Sequence, residues 1–326
     1  MAQARNFSAF DAHDCVRLGG MRWLKYFAWG IVLMLCAGAI FQAVASSHTL
    51  HHPPGALIDI GGRRMHLYCI GQGSRTVVLD AGLGDSWMSW TPVQSTIGQF
   101  ARVCSYDRAG MGWSDSSPDA RTSKVIAGEL HTLLHQAGVS APYVLVGHSF
   151  GGINVRAYAD AYRSDVAGLV LVDSSHPDQD ARMPPELKSF ERRFLLLAHG
   201  IEYTMPFGLP RIAGFCQQGA TAECSTAMVR EILAEYDQLP QSFTQVRAAA
   251  PLGDLPIRVL SRDPSDVSGP VPPEIMHAAN AVWTDLQKEL AALSTNSKQT
   301  IATGCSHYIH RCKPELVVEA VRELAR

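Results

Sequence analysis

The sequence lacks the features of several large classes of protein. Its 28 lysines and arginines are matched by 30 aspartates and glutamates, and they form no basic block. Because nucleic-acid-binding chains carry such a basic footprint, we expect no nucleic-acid partner. Glycine-rich phosphate loops and the cysteine and histidine spacings of metal sites are missing too. The chain is therefore expected to act without a bound cofactor or a resident metal.

Repeats and low-complexity tracts are also missing, and the remaining composition is that of a globular protein. The chain is 47% hydrophobic and 18% charged. Its 326 residues allow one large α/β domain or two smaller ones. One long apolar run, residues 26–45, contains no charge, and about 20 such residues are enough to cross a bilayer. We therefore expect a membrane as a partner of this chain.

The N-terminal region is predicted to form a membrane anchor. Its segments are residues 1–20 (a polar tail), 21–45 (the anchor) and 46–55 (a linker). Arg22 and Lys25 precede the apolar run, which predicts a cytoplasmic tail and a remaining chain that lies outside the cytoplasm. The triplet Ala43-Val44-Ala45 has the form of a cleavage site, so a secretory signal peptide stays open as the alternative.

A strand-like segment ends in a reactive-serine motif. The valine-rich run Tyr143-Val144-Leu145-Val146 leads into Gly147-His148-Ser149-Phe150-Gly151, which fits G-x-S-x-G, and a helical pattern follows. Such a turn between a strand and a helix strains the serine backbone and holds its hydroxyl clear of the sheet. The segment predicts that Ser149 is a nucleophile. The competing interpretation is a glycine-rich turn with an incidental serine.

Other segments share a family pattern with this motif and come in the same order. Residues 79–84 read L-D-A-G-L-G, residues 105–114 read S-Y-D-R-A-G-M-G-W-S, and residues 304–308 read G-C-S-H-Y. Together with residues 143–173 they resemble the α/β-hydrolase superfamily, from about residue 57 to the C-terminus. The resemblance implies one hydrolase domain over residues 56–326, with an eight-stranded, mostly parallel sheet flanked by helices.

The resemblance also implies a helical cap inserted at residues 174–253. This stretch is rich in proline and has several helical patterns. Its large apolar residues are predicted either to line an acyl pocket or to hold the cap on the core. They are Leu195, Leu196, Leu197, Met205, Phe207 and Phe215.

By position in the family pattern, His307 in the loop after the last strand is the general base for Ser149, with His310 as a second choice. The backbone N–H groups of Leu83 and Phe150 correspond to an oxyanion hole. A serine hydroxyl is a weak nucleophile, so it needs such a base and a third group that orients the base.

The acid that orients the histidine has three candidates. Asp173 follows the sixth strand, where some members of the superfamily carry their acid, and the V-D-x-x-H-x-D-Q pattern of residues 172–179 favours it. More members place the acid after the seventh strand, where this chain offers Asp263 and Asp266. The alternatives stay open at this point.

Six of the eight cysteines lie beyond the apolar run. An even number in an exported domain favours disulfides, whereas six free thiols would suit a cytosolic chain. Spacing alone leaves every pairing open. The strand order of the superfamily makes the strands of Cys69 and Cys104 neighbours and so favours the pair Cys69–Cys104. The pairs Cys216–Cys224 and Cys305–Cys312 would each close a short local loop.

The expected activity is hydrolysis of a small-molecule carboxylic ester through an acyl-enzyme. Epoxide hydrolases and haloalkane dehalogenases of the superfamily use an aspartate nucleophile, so Ser149 argues against both. An aminopeptidase-like amide hydrolase and a non-catalytic, membrane-tethered binding module are the alternatives. The substrate and the oligomeric state are left open.

Overall fold

The computed structural model describes residues 12–47, 54–214 and 225–325. Its strands are β1 (Ala56–Asp59), β2 (Arg64–Ile70), β3 (Thr76–Asp80), β4 (Arg102–Tyr106), β5 (Tyr143–His148), β6 (Val166–Val172), β7 (Ile257–Arg262) and β8 (Ser297–Ala302). Its α-helices are α1 (Ala12–Ser47), α2 (Thr91–Ile97), α3 (Ser123–Gln136), α4 (Phe150–Ala161), α5 (Gln179–Arg182), α6 (Pro185–Glu202), α7 (Leu209–Ile212), α8 (Thr226–Asp237), α9 (Leu239–Arg247), α10 (Pro273–Ala291), α11 (Ile309–Cys312) and α12 (Pro314–Leu324).

The strands form one sheet in the order β1-β2-β4-β3-β5-β6-β7-β8. The β1–β2 and β2–β4 pairs are antiparallel, and every later pair is parallel. Strands β3 and β5 are fully buried, as expected for parallel strands covered on both faces. This is the eight-stranded, mostly parallel sheet that the sequence predicted, so the predicted fold class is confirmed.

Alternating side chains of the central strands belong to two hydrophobic layers, one on each face of the sheet. Val78 and Leu145 pack with helices α3 and α4 on one face of the sheet. Val77 and Val144 pack with α2 and α12 on the other face. Side chains of successive strand residues point to opposite faces, so one valine-rich run serves both layers. The two layers hold the sheet between helices on both faces. The C-terminal ends of the parallel strands lie at an edge of the sheet, where the candidate site is found.

The first helix lies outside this sandwich. Within α1, the stretch Trp23–Ala45 is long and apolar enough to cross a membrane, and most of it is exposed in the isolated chain.

Between β6 and β7 the chain forms α5 to α9, where the cap was predicted. Most of the predicted linker, Phe215 and the predicted Cys216–Cys224 pair lie outside the described residues. The other two predicted disulfides, Cys69–Cys104 and Cys305–Cys312, are present.

Two glycines should respond in opposite directions to replacement by alanine. A Cβ on Gly151 would lie 2.3 Å from the Asp80 carbonyl oxygen, whereas one on Gly200 would meet nothing within 4 Å. We expect Gly151→Ala to lower stability by about 1–3 kcal/mol, because the backbone of β3 cannot yield easily. We expect Gly200→Ala, in helix α6, to raise it by about 0.5–1 kcal/mol. Thermal unfolding measures both, and equal shifts for the two variants would contradict the close approach at Gly151.

Candidate active site

The turn between β5 and α4 presents Ser149. Its φ is 52° and its ψ is −119°, a backbone conformation that L-residues rarely adopt. A Cβ on Gly147 would lie 2.5 Å from the Gly151 carbonyl oxygen, so the turn can close only with glycine at this position. The strained turn leaves Ser149 half-buried at the C-terminal end of the sheet. This is the geometry that the G-x-S-x-G motif predicts for an exposed serine hydroxyl.

The structure brings Asp173 and His307 together. Asp173 follows β6, is fully buried and has a φ of 41°. Its Oδ2 lies 2.6 Å from Nδ1 of His307, in the loop after β8. Ser149 and Asp173 thus follow the C-terminal ends of adjacent parallel strands, where catalytic groups of open α/β sheets gather. Among the described residues, no hydrogen bond joins the Ser149 hydroxyl to His307.

The other two acid candidates serve local turns. Oδ1 of Asp263 accepts hydrogen bonds from the backbone N–H and the hydroxyl of Ser265, and Oδ2 accepts one from the Gly304 N–H at 2.6 Å. The Gly304 N–H and the Ser265 groups lower the pKa of Asp263 to about 2. Asp266 binds the N–H and hydroxyl of Ser268. In the described structure neither aspartate contacts His307, although Asp263 anchors the start of its loop.

Two residues that the sequence did not single out also hold Asp173. The Arg262 side chain donates from Nε to Oδ2 at 2.7 Å, and its backbone N–H donates to Oδ1 at 3.0 Å. The Trp283 indole donates to Oδ1 at 2.8 Å, and its ring lies under the Arg262 guanidinium. Burial alone would raise the pKa of Asp173, but Arg262, His307 and Trp283 outweigh it and hold the pKa below its usual value. Asp173 is therefore a fixed carboxylate.

A second histidine, His148, packs against His307. The His148 ring is buried, lies 4.6 Å from the His307 ring and donates from Nε2 to the His307 carbonyl oxygen at 3.1 Å. Burial, with the nearby His307 and His310, holds the pKa of His148 well below its usual value, so this ring is neutral. The only sequence signal that His148 would contact the site was its position inside the G-x-S-x-G motif.

His310, the second choice for the base, has a different partner. Its ring is fully buried, and Nε2 lies 3.0 Å from the Ser89 hydroxyl. Burial and the Arg311 cation lower the pKa of His310 to about 3. A base must be within reach of the proton that it removes. The position of His310 therefore suits packing under the site.

The loop after β3 carries the predicted oxyanion donor Leu83, and Arg108 holds it. The Arg108 guanidinium donates to the carbonyl oxygens of Ala81 and Gly82, both at 2.7 Å. It also pairs with Asp80 on β3 and Glu235 on α8, and all three charges are buried. Burial alone would lower the pKa of Arg108, but the two carboxylates raise it above its usual value. The cation thus ties the loop to both core and cap.

The two predicted oxyanion donors are unengaged. In the part of the chain that the structure describes, the backbone N–H groups of Leu83 and Phe150 donate no hydrogen bond. Phe150 opens helix α4, whose first N–H groups carry a partial positive charge. Both donors are therefore available to an oxygen that becomes negative beside Ser149.

A cavity of about 300 Å³ lies next to His307. The cap contributes Met183, Leu187 and Phe190, and the core contributes Met276 and Trp283. Because a mostly apolar cavity holds the apolar part of a small molecule, this space fits an acyl or alkyl group. Charged residues of the cap lie at the same cavity, and they are Asp180, Lys188 and Glu191.

One group of side chains away from Ser149 has ligand atoms close enough to suit a metal ion. Those atoms, in His176, Asp178 and Glu289, lie within 4.8 Å of one another. However, Arg247 pairs with Asp178 at 2.7 Å and Arg182 with Glu289 at 2.5 Å. The arginines already compensate both carboxylates, so this cluster is an ion-pair network.

Comparisons with known proteins identify the family of the chain. The Alpha/beta hydrolase family model matches residues 77–320, so the chain belongs to the alpha/beta hydrolase family. The uncharacterized protein YqjL of Bacillus subtilis is 29% identical over 257 residues, which cover 78% of this chain and 85% of YqjL. The chain covers only 20% to 39% of the lengths of three further curated relatives.

Solved structures share the fold. The Cif epoxide hydrolase of Acinetobacter nosocomialis has a TM-score of 0.66 at 15% identity, covering 90% of this chain and 97% of that one. A thermophilic esterase of Thermogutta terrifontis has a TM-score of 0.53 at 24% identity, covering 80% and 92%. Family and fold together support a hydrolase. At these identities the neighbours do not decide which bond is cleaved.

Replacing Arg262 by methionine should destabilise the protein in a pH-dependent way. The variant keeps an apolar stem over Trp283 but removes the cation beside Asp173. We expect a loss of about 1–3 kcal/mol near neutral pH. Because Arg262 depresses the pKa of Asp173, its contribution is present above the usual value of 3.8 and disappears as pH falls through the folded-state pKa.

Thermal unfolding from about pH 7 to about pH 3 measures this difference, which should narrow as the pH falls. Lys298→Met is the matched control, since it removes a cation from an exposed pair with Glu323. We expect the control to change stability by less than about 1 kcal/mol at every pH. A difference for Arg262→Met that stays constant with pH would show that the ion pair is not its cause.

Proposed function

We propose that the protein is a serine hydrolase that cleaves a carboxylic ester through an acyl-enzyme. The observation that carries the proposal is the 2.6 Å contact between Asp173 and His307, at the strand ends that also present Ser149. A carboxylate on Nδ1 fixes the tautomer that leaves Nε2 free to accept a proton. Epoxide hydrolases of this superfamily use an aspartate nucleophile, so the serine at position 149 argues against epoxide hydrolysis.

In the proposed reaction His307 takes the proton of Ser149 while its oxygen attacks the ester carbonyl carbon. The carbonyl oxygen becomes negative and accepts hydrogen bonds from the N–H groups of Leu83 and Phe150, each worth roughly 3 kcal/mol. His307 then gives its proton to the leaving alkoxide, and an alcohol departs. Water repeats the sequence on the acyl-enzyme and releases the acid and free Ser149. Asp173 remains ionised throughout and stabilises the imidazolium.

An amide hydrolase that recognises an amino terminus is the second candidate. The observation in its favour is that Asp180 and Glu191 of the cap line the cavity beside His307. Two carboxylates could hold a substrate ammonium group, although Lys188 lines the same cavity and offsets one of them. Turnover of amino-acid p-nitroanilides that falls in Glu191→Gln would favour this candidate. Turnover of esters alone would favour the first.

The proposed location is a membrane with the hydrolase domain outside the cytoplasm. The apolar stretch Trp23–Ala45 and the two disulfides support this arrangement, since stable disulfides belong to oxidising compartments. Secretion after cleavage near residue 45 is the alternative. Mass measurement of the N-terminus of the exported protein separates the two.

Ser149→Ala should abolish both esterase activity and labelling. We expect the unchanged chain to hydrolyse p-nitrophenyl esters and to react with a fluorophosphonate, which labels activated serines. The variant should lose activity by roughly 10⁴-fold or more, because the nucleophile is gone. A folded parent chain that neither turns over esters nor reacts with the fluorophosphonate would support the non-catalytic binding module instead.

The three acid candidates are separated by asparagine substitutions. Asp173→Asn should lower kcat by on the order of 10⁴-fold, since the amide no longer fixes the correct His307 tautomer. Asp263→Asn and Asp266→Asn serve as controls, and each should lower kcat by less than about tenfold, because both act in turns. A larger loss for Asp263→Asn than for Asp173→Asn would reassign the acid.

A further inference from the structure

The membrane-spanning stretch is packed against the cap. Helix α1 meets the segment Met205–Phe207 at the end of α6, where a Cβ on Gly38 would lie 2.2 Å from the Phe207 carbonyl oxygen. Four residues further along α1, the Gln42 side chain accepts a hydrogen bond from Nε of Arg211 at 3.1 Å. Gly38 lies at the closest point of this contact. Small residues such as glycine are common where the backbone of a membrane helix approaches another element closely.

This contact sets the depth of the cap relative to the bilayer. Gly38 precedes the end of the apolar stretch Trp23–Ala45 by seven residues. At 1.5 Å per residue, Phe207 lies about 10 Å below the end of that stretch when α1 crosses the membrane. Amphipathic elements that lie in a membrane surface are buried to about 5–10 Å. The segment around Phe207 is therefore at the level of the lipid headgroups and upper acyl chains.

The elements next to this contact carry large apolar side chains on their outer surface. The exposed fractions are 62% for Phe194, 61% for Leu197, 78% for Tyr203 and 65% for Ile212. Phe194 and Leu197 are three residues apart on α6, so they share a face of the helix. Tyr203 follows Phe194 by nine residues and so lies on another side of α6. Exposed large apolar side chains on neighbouring elements mark an interaction surface. We call Phe194, Leu197 and Ile212 the apolar cap face.

The apolar cap face is connected to the cavity beside His307. A second cavity, of about 480 Å³, is lined by Phe194 and Leu195 of α6. Phe190, one turn earlier on the same helix, lines both this cavity and the one next to His307. The two cavities also share Gln179, Asp180, Lys188 and Glu191. They therefore lie next to each other along α6, between the outer surface of the cap and His307, the base of the proposed function.

We propose that the apolar cap face is embedded in the lipid bilayer, and that the substrate is an ester with a long acyl chain drawn from that bilayer along α6. The occupant is lipid because the same surface adjoins α1, the stretch that spans the membrane. The substrate class rests on the proposed esterase function, whereas the contact with lipid does not. Arg192 and Arg193 lie exposed on α6, where they suit the headgroup layer that borders an embedded helix.

The test uses the full chain reconstituted in phosphatidylcholine vesicles. Hydrolysis of p-nitrophenyl acetate in solution is compared with hydrolysis of p-nitrophenyl palmitate dissolved in the vesicles. The variant Leu197→Glu/Ile212→Glu should lose about fivefold or more of the activity on the vesicle ester, because carboxylates withdraw the face from lipid. Its activity on the acetate should stay within about twofold of the parent, since neither residue lines the cavity at His307.

Ile301→Glu is the matched control. Ile301 is exposed on the edge strand β8, away from the cap, and its replacement should change neither activity. Equal activity of Leu197→Glu/Ile212→Glu and the parent on both esters would overturn the proposal. Loss of both activities in parallel would overturn it too, because that pattern reports damage to the site.

A second readout separates failure of this proposal from failure of the esterase function. In vesicles of brominated phosphatidylcholine, Trp23 and Trp29 of the membrane-spanning stretch give a quenched background in every variant. Relative to the parent, the tryptophan added by Leu197→Trp should be quenched, and the one added by Ile301→Trp should not. If the parent hydrolyses neither ester, the esterase function fails and quenching alone decides the contact with lipid. Absence of quenching at position 197 would overturn the contact between this face and lipid.

Discussion

The site depends first on one buried cation. Arg108 lies between the sheet, the loop that carries Leu83 and the cap helix α8, and it binds acceptors in all three. A buried guanidinium is tolerated only when its donors are satisfied, so the arginine and its acceptors hold one another in place. The loop after β3 gains a fixed conformation from this requirement without regular secondary structure. The same bonds fasten the cap to the core at one point beside the site.

Backbone strain at two residues is the second feature on which the candidate site depends. In the described residues Ser149 and Asp173 are the only non-glycine residues with positive φ, and they end adjacent strands. Each such conformation costs roughly 1–3 kcal/mol and persists only where surrounding contacts impose it. At Ser149 the contact is the close packing of Gly147 and Gly151, and at Asp173 it is the set of donors from Arg262, Trp283 and His307. The strain is thus located at the two residues that the proposed function uses as nucleophile and acid.

The turn at Ser149 could be predicted from the sequence itself, because a strand pattern, a G-x-S-x-G turn and a helix pattern are local properties of the chain. The eight-stranded sheet and the histidine loop followed from the resemblance to the α/β-hydrolase superfamily. The cysteine pair 69–104 followed from the strand order that the resemblance implied, and the pair 305–312 from the short local loop that it would close. The choice among Asp173, Asp263 and Asp266 stayed open, since it depends on which strand end faces His307. Arg262 and Trp283 come from distant parts of the chain, and only tertiary packing brings them to Asp173. The contact between α1 and the cap had no local signal at all.

The disulfide Cys305–Cys312 encloses His307 in a short covalent ring. Without this bond the loop would be held only at its start by Asp263 and at its end by α11. The closed ring limits the positions that the imidazole of His307 can occupy. The alignment of His307 with Asp173 would therefore be looser wherever this bond is reduced.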